Sequence, residues 1–357
     1  MTTVLSEETK SRMKVGYVAR RVPRSALYTQ LAVPVDPSPG DVVLARVEKI
    51  GKNTSLENVD GRRCTLHEGD LVVVAFGNRY ATLQFEGYAR SQGDRCDLLS
   101  MGGLCGLVES KHDSVADPSK LRILGAIGDE TGNPVRLADH ALAPALSPRQ
   151  VAPKVIGVCG TSMDAGKTYT VRSSVLGLRQ QGLRVAAIKL TGTASGRDKF
   201  SMLDAGATPA LDFIDAGYPS TYLCSLKELM DIYGILLSQA TAQRADCVVI
   251  EIADGLVQRE TTALMTNPRF TGSVNAWLLA ANDAPGAAGA ISILKSWGII
   301  PLAITGNASR SALVRQEVET ATGIACVPAT DIETGELNPQ LLKATRRLTG
   351  EVKLVVG

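Results

Sequence analysis

The pattern of hydrophobic residues along the chain changes near residue 150. Over residues 40–130, short runs rich in β-forming residues, such as DVVLARVEKI, DLVVVAF and RYATLQFEGYA, are separated by glycines. Turn signals about 8–12 residues apart between such runs are typical of a small, mainly antiparallel barrel or sandwich. The sequence therefore predicts a β-rich N-terminal domain.

Beyond residue 153, the apolar runs become continuous and alternate with helical patterns. The runs KVIGVCG, LRVAAIKL, DCVVIEIA, AWLLAA and IPLAITG lack the polar alternation of a half-exposed strand. Such strands are buried on both faces, as in a parallel sheet covered by helices. Helical patterns lie between them, as in LKELMDIYGILLSQATAQ and GAAGAISILKSWG. This part of the chain is predicted to be a doubly wound, mostly parallel α/β domain.

A proline-rich segment separates the two patterns. The segment 144–153, PALSPRQVAP, has three prolines in ten residues, which is typical of a linker. We therefore expect a β-rich domain over 1–143, a linker over 144–153 and an α/β domain over 154–357. The total of 357 residues suits two domains.

The composition points to local binding sites rather than to a charged surface. Hydrophobic residues make up 45% of the chain and charged residues 21%, and the formal net charge is +2. This balance creates no field that would attract nucleic acid or an anionic membrane. The N-terminus lacks the apolar core of a signal peptide, and no uninterrupted apolar run reaches about 20 residues. We expect a cytoplasmic protein that binds neither nucleic acid nor membrane.

The cysteines and histidines do not follow a metal-binding or disulfide pattern. The seven cysteines are dispersed with no CxxC pair, and the three histidines lie far apart in the sequence. We expect buried thiols in a reducing compartment and no dedicated zinc site.

The segment 157–170, GVCGTSMDAGKTYT, supplies the parts of a phosphate-binding loop. Such a loop needs a strand, a glycine-permitted bend, a lysine for the outer phosphates and a hydroxyl for magnesium at the start of a helix. Five residues, rather than the usual four, separate the two glycines of the motif. An ordinary strand-to-helix turn would not need Lys-Thr after the second glycine. The predicted nucleotide-binding residues are Gly160, Thr161, Ser162, Met163, Ala165, Gly166, Lys167, Thr168 and Tyr169.

The longer spacing identifies a particular group of such loops. GTSMDAGKT resembles the GTDTEVGKT loop of the dethiobiotin synthetase family, and both lack the extra lysine of the partition ATPases. In the order of that family, LRVAAIKLTGTASG resembles its second strand, and VVIEIADG resembles its acidic strand end, VVEGAGG. ITGN stands where the family has an asparagine that reads adenine, so the resemblance implies this role for Asn307.

The same features are also similar to a broader group of P-loop proteins. This group includes a family with D-amino-acid N-acetyltransferases, whose loops read GTDCAVGK and whose members carry an added N-terminal domain. This chain departs from dethiobiotin synthetase in its N-terminal extension and in Asp254, where that family has glycine. The departures bear on the substrate rather than on the nucleotide chemistry.

Candidate metal ligands follow from the loop and from strand ends. Thr168 would place its hydroxyl on Mg²⁺, and Glu251, at the end of a buried strand, would be a second anchor or position a water. Asp198 and Asp204 are rival candidates for a further carboxylate. Asp204 is favoured because its context resembles the SDA segment of the family, and helix capping is the alternative for both.

Catalytic candidates are the charged residues closest to the expected phosphates. Lys167 would bind the β and γ phosphates. Lys189 ends a buried strand, where an ammonium group needs an anion as partner. Asp164 lies inside the loop, where its carboxylate would face metal, a substrate amine or solvent.

Substrate-binding candidates lie after the other strands of the α/β domain. Thr191 and Ser195 belong to the polar loop TGTASGRD, and Asn282 and Asp283 follow AWLLAA. Asp254 follows Glu251 closely, and the two carboxylates would repel each other unless a metal or a cationic substrate lay between them. In the N-terminal domain, GNRYATLQFEG could form part of a pocket, an interface or only a β-turn.

The resemblance implies an enzyme that uses ATP and Mg²⁺ on a small polar metabolite, with a mixed phosphate anhydride as intermediate and an amine as nucleophile. An acyl-coenzyme A-dependent N-acyltransferase with its loop on the coenzyme A phosphates is one alternative. A nucleotide switch with a docking domain is another. The resemblance also implies a homodimer.

Overall fold

The computed structural model describes residues 2–146 and 152–344. These residues form two compact units, and each unit is made of segments that are not continuous in sequence. The β unit contains 2–144, 191–200 and 212–224, and the α/β unit contains the described residues of 145–190, 201–211 and 225–344. Part of the expected linker, 147–151, and the last residues of the expected second domain, 345–357, lie outside the described residues. The sequence pattern had placed both 191–200 and 212–224 in the α/β domain.

The β unit is built mainly from short strands. Its single α-helix in the N-terminal segment, α1 (Glu7–Arg12), begins after Ser6, whose side chain accepts a hydrogen bond from the N–H of Thr9. The strands are β1 (Thr3–Val4), β2 (Lys14–Val15), β3 (Thr29–Gln30), β4 (Val42–Lys49), β5 (Ser55–Glu57), β6 (Arg63–Thr65), β7 (Leu71–Phe76), β8 (Phe85–Tyr88), β9 (Arg95–Leu98), β10 (Leu104–Lys111) and β11 (Ser119–Gly128).

Five of these strands pair in a closed ring. β4 pairs with β7, β7 with β10, β10 with β9, β9 with β11, and β11 with β4. All of these pairs are antiparallel except β7 with β10. Alternate residues of the ring strands point into one apolar core, as the two-residue period of a strand requires. The core residues include Val43, Ala45, Val47, Val72, Val74, Phe76, Cys96, Leu98, Leu121 and Ile123.

The α/β unit contains most of the helices. Two elements, α3 and β14, cross a boundary between the units in sequence. The strands are β12 (Lys154–Gly160), β13 (Val185–Lys189), β14 (Ala210–Asp212), β15 (Cys247–Glu251), β16 (Ala276–Ala280) and β17 (Ala303–Thr305). The helices are α2 (Lys167–Gln180), α3 (Gly196–Asp204), α4 (Leu226–Ala242), α5 (Arg259–Met265), α6 (Pro268–Thr271), α7 (Ala284–Ser296), α8 (Ala312–Thr322), α9 (Ala329–Glu333) and α10 (Asn338–Lys343).

The six strands form one sheet in the order β14-β13-β15-β12-β16-β17. The pairs of β15 with β12 and β13, and of β16 with β12 and β17, are parallel. Three residues of α2, Val171, Val175 and Leu178, recur at helical spacing and pack on the sheet core. The structure confirms the predicted fold class, a doubly wound, mostly parallel α/β architecture after a small, mainly antiparallel β domain.

The strand order brings several predicted site residues to one edge of the sheet. In a parallel sheet the carboxyl ends of all strands meet at the same edge, where ligands of open α/β folds bind. β12 leads into the glycine-rich loop and has β15 on one side and β16 on the other. Among residues 2–146 and 152–344, the structure has no helix with both the length and the apolar character needed to cross a membrane.

Candidate functional site

The glycine-rich loop joins the end of β12 at Gly160 to the start of α2 at Lys167. Gly166 has a φ of 100° and Asp164 a φ of 61°, so the bend uses two left-handed residues. Aspartate is among the few side chains that tolerate this region. At Gly160 an added Cβ would lie 2.9 Å from the side-chain carbons of Lys167, so glycine gives this lysine room. The unit therefore has the strand, bend and helix start of a P-loop fold.

Lys167 carries a positive charge into the interior of this loop. Its side chain is buried, and Nζ donates a 2.7 Å hydrogen bond to the carbonyl of Ser162. Burial lowers the pKa of Lys167, while the nearby carboxylates of Glu251 and Asp254 act in the opposite direction. The first N–H groups of α2 have no partner within the helix and add partial positive charge. The arrangement is suited to phosphate.

Glu251 and Thr168 meet next to this lysine. The Thr168 hydroxyl donates a 3.0 Å hydrogen bond to Oε1 of Glu251, and the carboxylate is only 3% exposed. Asp254, three residues beyond β15, has a φ of 61° and is half-buried. Hydroxyl and carboxylate oxygens are the ligands that Mg²⁺ prefers, and one or two carboxylates with phosphate oxygens commonly complete its shell. The residues present therefore fit Mg²⁺.

Lys189 lies in register with Glu251. It ends β13, is 8% exposed, and pairs with Glu251 across the two parallel strands. Its charge contributes to the lowered pKa of Lys167, so the two ammonium groups are close enough to interact. The sheet edge thus brings together two buried lysines and a buried carboxylate.

Asn282 and Asn307 brace the loop from the other side. The Asn307 amide donates to the carbonyl of Asp164 at 2.7 Å and to Oδ1 of Asn282 at 2.8 Å. Asn282 in turn donates to the hydroxyl of Ser162 at 2.8 Å. Both amide hydrogens of Asn307 are therefore engaged in hydrogen bonds. In the predicted contact with adenine, its Oδ1 would accept a hydrogen bond from the base. Asn282 contacts the loop through its hydrogen bond to Ser162, and its role in binding substrate stays a prediction.

The other loop residues have mainly backbone roles. The N–H of Thr161 donates to Ala280, and the carbonyl of Ala165 accepts from the N–H of Asn307. The Ser162 hydroxyl donates to the carbonyl of Met163. Asp164 is exposed, so its carboxylate is not enclosed within the loop.

Tyr169, in the first turn of α2, has one ring face covered. The guanidinium of Arg172 lies 4.5 Å from the ring centroid.

Asp283 accepts a 2.7 Å hydrogen bond from the N–H of Gly286 and caps α7, which is a structural role for a predicted substrate residue.

The structure places Asp204, the favoured candidate for a further metal ligand, away from the glycine-rich loop. Asp204 is exposed at the end of α3, and the next residue, Ala205, accepts a hydrogen bond from Arg179. Arg179 lies in the last turn of α2, about 18 Å along the helix from Lys167 at the usual rise per residue. The sequence around Asp204 resembles the SDA segment of the family, but this resemblance does not reveal that the length of α2 separates Asp204 from the loop.

Three further candidates lie in the β unit. Thr191 is buried, Ser195 is half-buried, and Asp198 lies in the first turn of α3. The N–H of Gly196 beside them donates a 2.8 Å hydrogen bond to Glu57. The roles of Thr191, Ser195 and Asp198 in binding substrate or metal stay predictions.

Two glycines that are not among the predicted site residues allow the loop backbone to pack closely against them. A Cβ on Gly306 would lie 2.2 Å from the carbonyl oxygen of Ala165, and one on Gly255 would lie 2.6 Å from that of Thr161. Both glycines follow sheet strands in the segments ITGN and IADG. A glycine directly after a buried strand is the sequence signal for such a close approach. The sequence interpretation assigned roles only to the polar residue beside each glycine.

Comparison with known proteins finds only distant similarity to solved structures. No protein-family model matches the chain, and no curated protein matches its sequence. HypB from Helicobacter pylori in complex with nickel is 12% identical, with 54% of this chain and 86% of that chain covered and a TM-score of 0.36. A DUF1611 family protein from Anabaena variabilis is 14% identical, with coverages of 57% and 61% and a TM-score of 0.35. A ParA family ATPase from Chlorobium tepidum is 13% identical, with coverages of 53% and 92% and a TM-score of 0.33. Similarity at this level says nothing about the activity of this chain.

Proposed function

We propose that this chain is an ATP- and Mg²⁺-dependent enzyme that activates a carboxylate or carbamate of a small polar metabolite. The observation that carries the proposal is the hydrogen bond from Thr168 to Glu251 beside the buried Lys167. It joins a hydroxyl and a carboxylate suited to Mg²⁺ with a lysine suited to phosphate. The longer glycine spacing, which resembles dethiobiotin synthetase, supports the same reaction class.

The loop would bind the nucleotide through its phosphates. Lys167 donates to the Ser162 carbonyl, and on binding this donor would turn to a phosphate oxygen. The lowered pKa of Lys167 reflects burial, and a bound polyphosphate would favour its charged form. Charge-assisted hydrogen bonds of this kind are about twice as strong as neutral ones.

Thr168 and Glu251 would hold the metal ion. Mg²⁺, when bound, would offset the negative charge of the phosphates as the terminal phosphoryl group is transferred. Glu251 is already in place at the end of β15, and its neighbour Lys189 can stabilise an anion on the same edge. These residues act by position and charge, and no covalent step by the protein is required.

The reaction has a simple balance. A substrate carboxylate oxygen attacks the terminal phosphorus of ATP, and ADP leaves. An amine then attacks the acyl carbon of the mixed anhydride, and inorganic phosphate leaves as the amine loses a proton. Asp254, half-buried near Lys167, would bind the protonated form of the amine before that amine loses a proton and attacks.

Trapping the anhydride tests the proposal. The full chain is incubated with ATP, Mg²⁺, hydroxylamine and a panel of small amino and hydroxy acids, and ADP and hydroxamate are measured. We expect both products to form together with one class of acid. Glu251→Gln should abolish both, whereas Glu317→Gln, an exposed glutamate of α8, should leave both unchanged.

Other outcomes would support the rival functions. Acyl transfer from acetyl-coenzyme A to an amino acid without ATP would favour the N-acyltransferase. Slow ADP release that no acid or amine stimulates would favour a nucleotide switch. Either result would contradict the proposed reaction.

A further inference from the structure

Three tyrosines of the β unit surround one carboxylate. The ring centroids of Tyr80 and Tyr222 lie 5.4 Å apart, and those of Tyr88 and Tyr222 lie 6.3 Å apart. Tyr88 and Tyr222 both donate to Oε1 of Glu86, at 2.7 and 3.0 Å. We call Tyr80, Glu86, Tyr88 and Tyr222 the tyrosine cluster. The chain has only eight tyrosines, so three at one half-buried place is a marked concentration.

Glu86 is held ionised by hydroxyl groups. The hydroxyls of Tyr88 and Ser110 lower the pKa of Glu86 most, and Tyr222 adds to the effect. Ser110 donates to Oε2 at 3.0 Å. A carboxylate has about four acceptor positions, so these three donors leave one on Oε2. Within residues 2–146 and 152–344, Glu86 forms no ion pair, so its charge has hydroxyl donors but lacks a counter-ion.

The aromatic rings are suited to a cation. Aromatic faces carry partial negative charge and attract ammonium and guanidinium groups within about 6 Å of the centroid. The chain itself shows this at the cluster, because the guanidinium of Arg90 lies 5.0 Å from the centroid of Tyr88. Tyr80 and Tyr222 provide two further rings next to the carboxylate.

The backbone fixes these side chains before any ligand arrives. The carbonyl of Asn78 accepts a hydrogen bond from the Ser220 hydroxyl, which ties the Tyr80 segment to the Tyr222 segment. Leu223 has a φ of 69° and is 41% exposed. Bulky residues rarely adopt this region, and those that do concentrate at ligand sites.

We propose that the tyrosine cluster binds a small organic cation that carries N–H groups, an alkylammonium or an alkylguanidinium. One N–H donates to the open position on Oε2 of Glu86, and the charged group lies against the rings of Tyr80 and Tyr222. The hydroxyls of Tyr88, Tyr222 and Ser110 occupy the other acceptor positions of Glu86, so the carboxylate accepts only one hydrogen bond from the ligand. This binding is separate from the proposed nucleotide chemistry.

A probe series tests the proposal on the full-length chain. Butylguanidinium, butylammonium, tetramethylammonium and butanol are titrated by calorimetry and by ligand-observed NMR. We expect the two N–H-bearing cations to bind, tetramethylammonium to bind at least fivefold more weakly, and butanol not to bind. Butanol binding as tightly as the cations would overturn the proposal, because the site would then be only apolar.

Variants locate the binding. Glu86→Gln should weaken butylguanidinium at least tenfold, whereas Glu68→Gln, an exposed glutamate of the same unit, should leave it unchanged. Tyr222→Leu should weaken binding more than Tyr222→Phe, since only the former removes the ring. Unchanged binding in Glu86→Gln would overturn the proposal. Thermal unfolding of each variant shows whether it is folded. If a variant is misfolded, the titrations of the wild type with the four probes still test whether the site prefers cations that carry N–H groups.

Discussion

The side-chain amide of Asn307 donates a 2.7 Å hydrogen bond to the backbone carbonyl of Asp164, one of the two left-handed residues of the glycine-rich loop. Asn307 follows β17, which lies two strands away from β12 in the sheet. The second amide hydrogen reaches Asn282, which holds Ser162. The loop is therefore fixed by side chains from the neighbouring strands as well as by its own sequence.

The shared hydrogen bond between Asn282 and Asn307 makes their substitutions interdependent. Asn282→Ala and Asn307→Ala should each lower the free energy of unfolding, since each hydrogen bond contributes about 0.5–1.5 kcal/mol. The double variant should lose less free energy of unfolding than the sum of the two single losses. The difference should be about the contribution of one hydrogen bond, because both single variants remove the bond between Asn307 and Asn282. Denaturant unfolding measures this. Asn267→Ala, at the start of α6, should be additive with Asn307→Ala. Additivity of the Asn282 and Asn307 changes would contradict the bracing role.

Gly306 is required both for its backbone conformation and for space. Its φ is 86°, and an added methyl group would lie 2.2 Å from the Ala165 carbonyl oxygen. Gly323, with φ 70° and ψ 15°, lies in the left-handed helical region with nothing within 4 Å, so it measures the cost of a positive φ without a close contact. Gly323→Ala should cost about 1–2 kcal/mol, the left-handed penalty alone. Gly306→Ala should cost more and should also weaken ATP binding. Equal losses of stability in the two variants would show that the close contact is unimportant.

Lys167 should make stability depend on pH in the alkaline range. Its pKa in the folded chain is lowered by burial below the ordinary value of 10.5. Between the two values the unfolded chain binds more protons, so the free energy of unfolding rises with pH up to about 10.5. Lys167→Met should flatten this rise, whereas Lys295→Met, an exposed lysine of α7, should not. Parallel curves for wild type and Lys167→Met from urea unfolding would contradict the assignment.

The β unit contains a buried ion-pair network that should be sensitive to acid. Asp212 accepts hydrogen bonds from Tyr17 at 2.6 Å and from Arg20 at 2.9 Å. Burial favours a higher pKa of Asp212, but Arg20 and Lys199 outweigh it, and the pKa lies below 3.8. The stabilisation is therefore present above that value and is lost as the pH falls through the folded pKa.

Replacing Asp212 tests this network. Asp212→Asn should cost about 1–3 kcal/mol at neutral pH, because the buried Arg20 loses one of its two carboxylate partners and keeps only Asp215. Glu7→Gln, in the exposed pair with Lys10, should cost about 0–1 kcal/mol. Unfolding curves at neutral and acid pH measure both. A loss for Asp212→Asn no larger than that for Glu7→Gln would contradict the network.

The sequence predicted the elements that have a strong local pattern. The strand before Gly160, the helix from Lys167 and the acidic strand ending at Glu251 were all recognisable, because a buried parallel strand is a continuous apolar run. The placement of Lys189 and Glu251 at the carboxyl edge of the sheet also followed from the rule that parallel strand ends meet there, but their pairing in register did not.

Long-range features were not readable in the same way. The placement of 191–200 and 212–224 with the β unit depends on contacts such as Tyr17 with Asp212, which are far apart in sequence. The distance of Asp204 from the loop depends on the length of α2, and the bracing by Asn307 depends on which strand lies where. A single sequence gives the residue types but not these separations.

Calorimetric titration of ATP, with Mg²⁺ and with a chelator, tests the central claim most directly. We expect ATP to bind in a Mg²⁺-dependent manner, and Lys167→Ala to weaken it about 10- to 100-fold, since a charged hydrogen bond is worth about 1.5–3 kcal/mol. Lys295→Ala should bind ATP as the wild type does. Binding of coenzyme A with no ATP signal, or wild-type affinity for ATP in Lys167→Ala, would contradict the account.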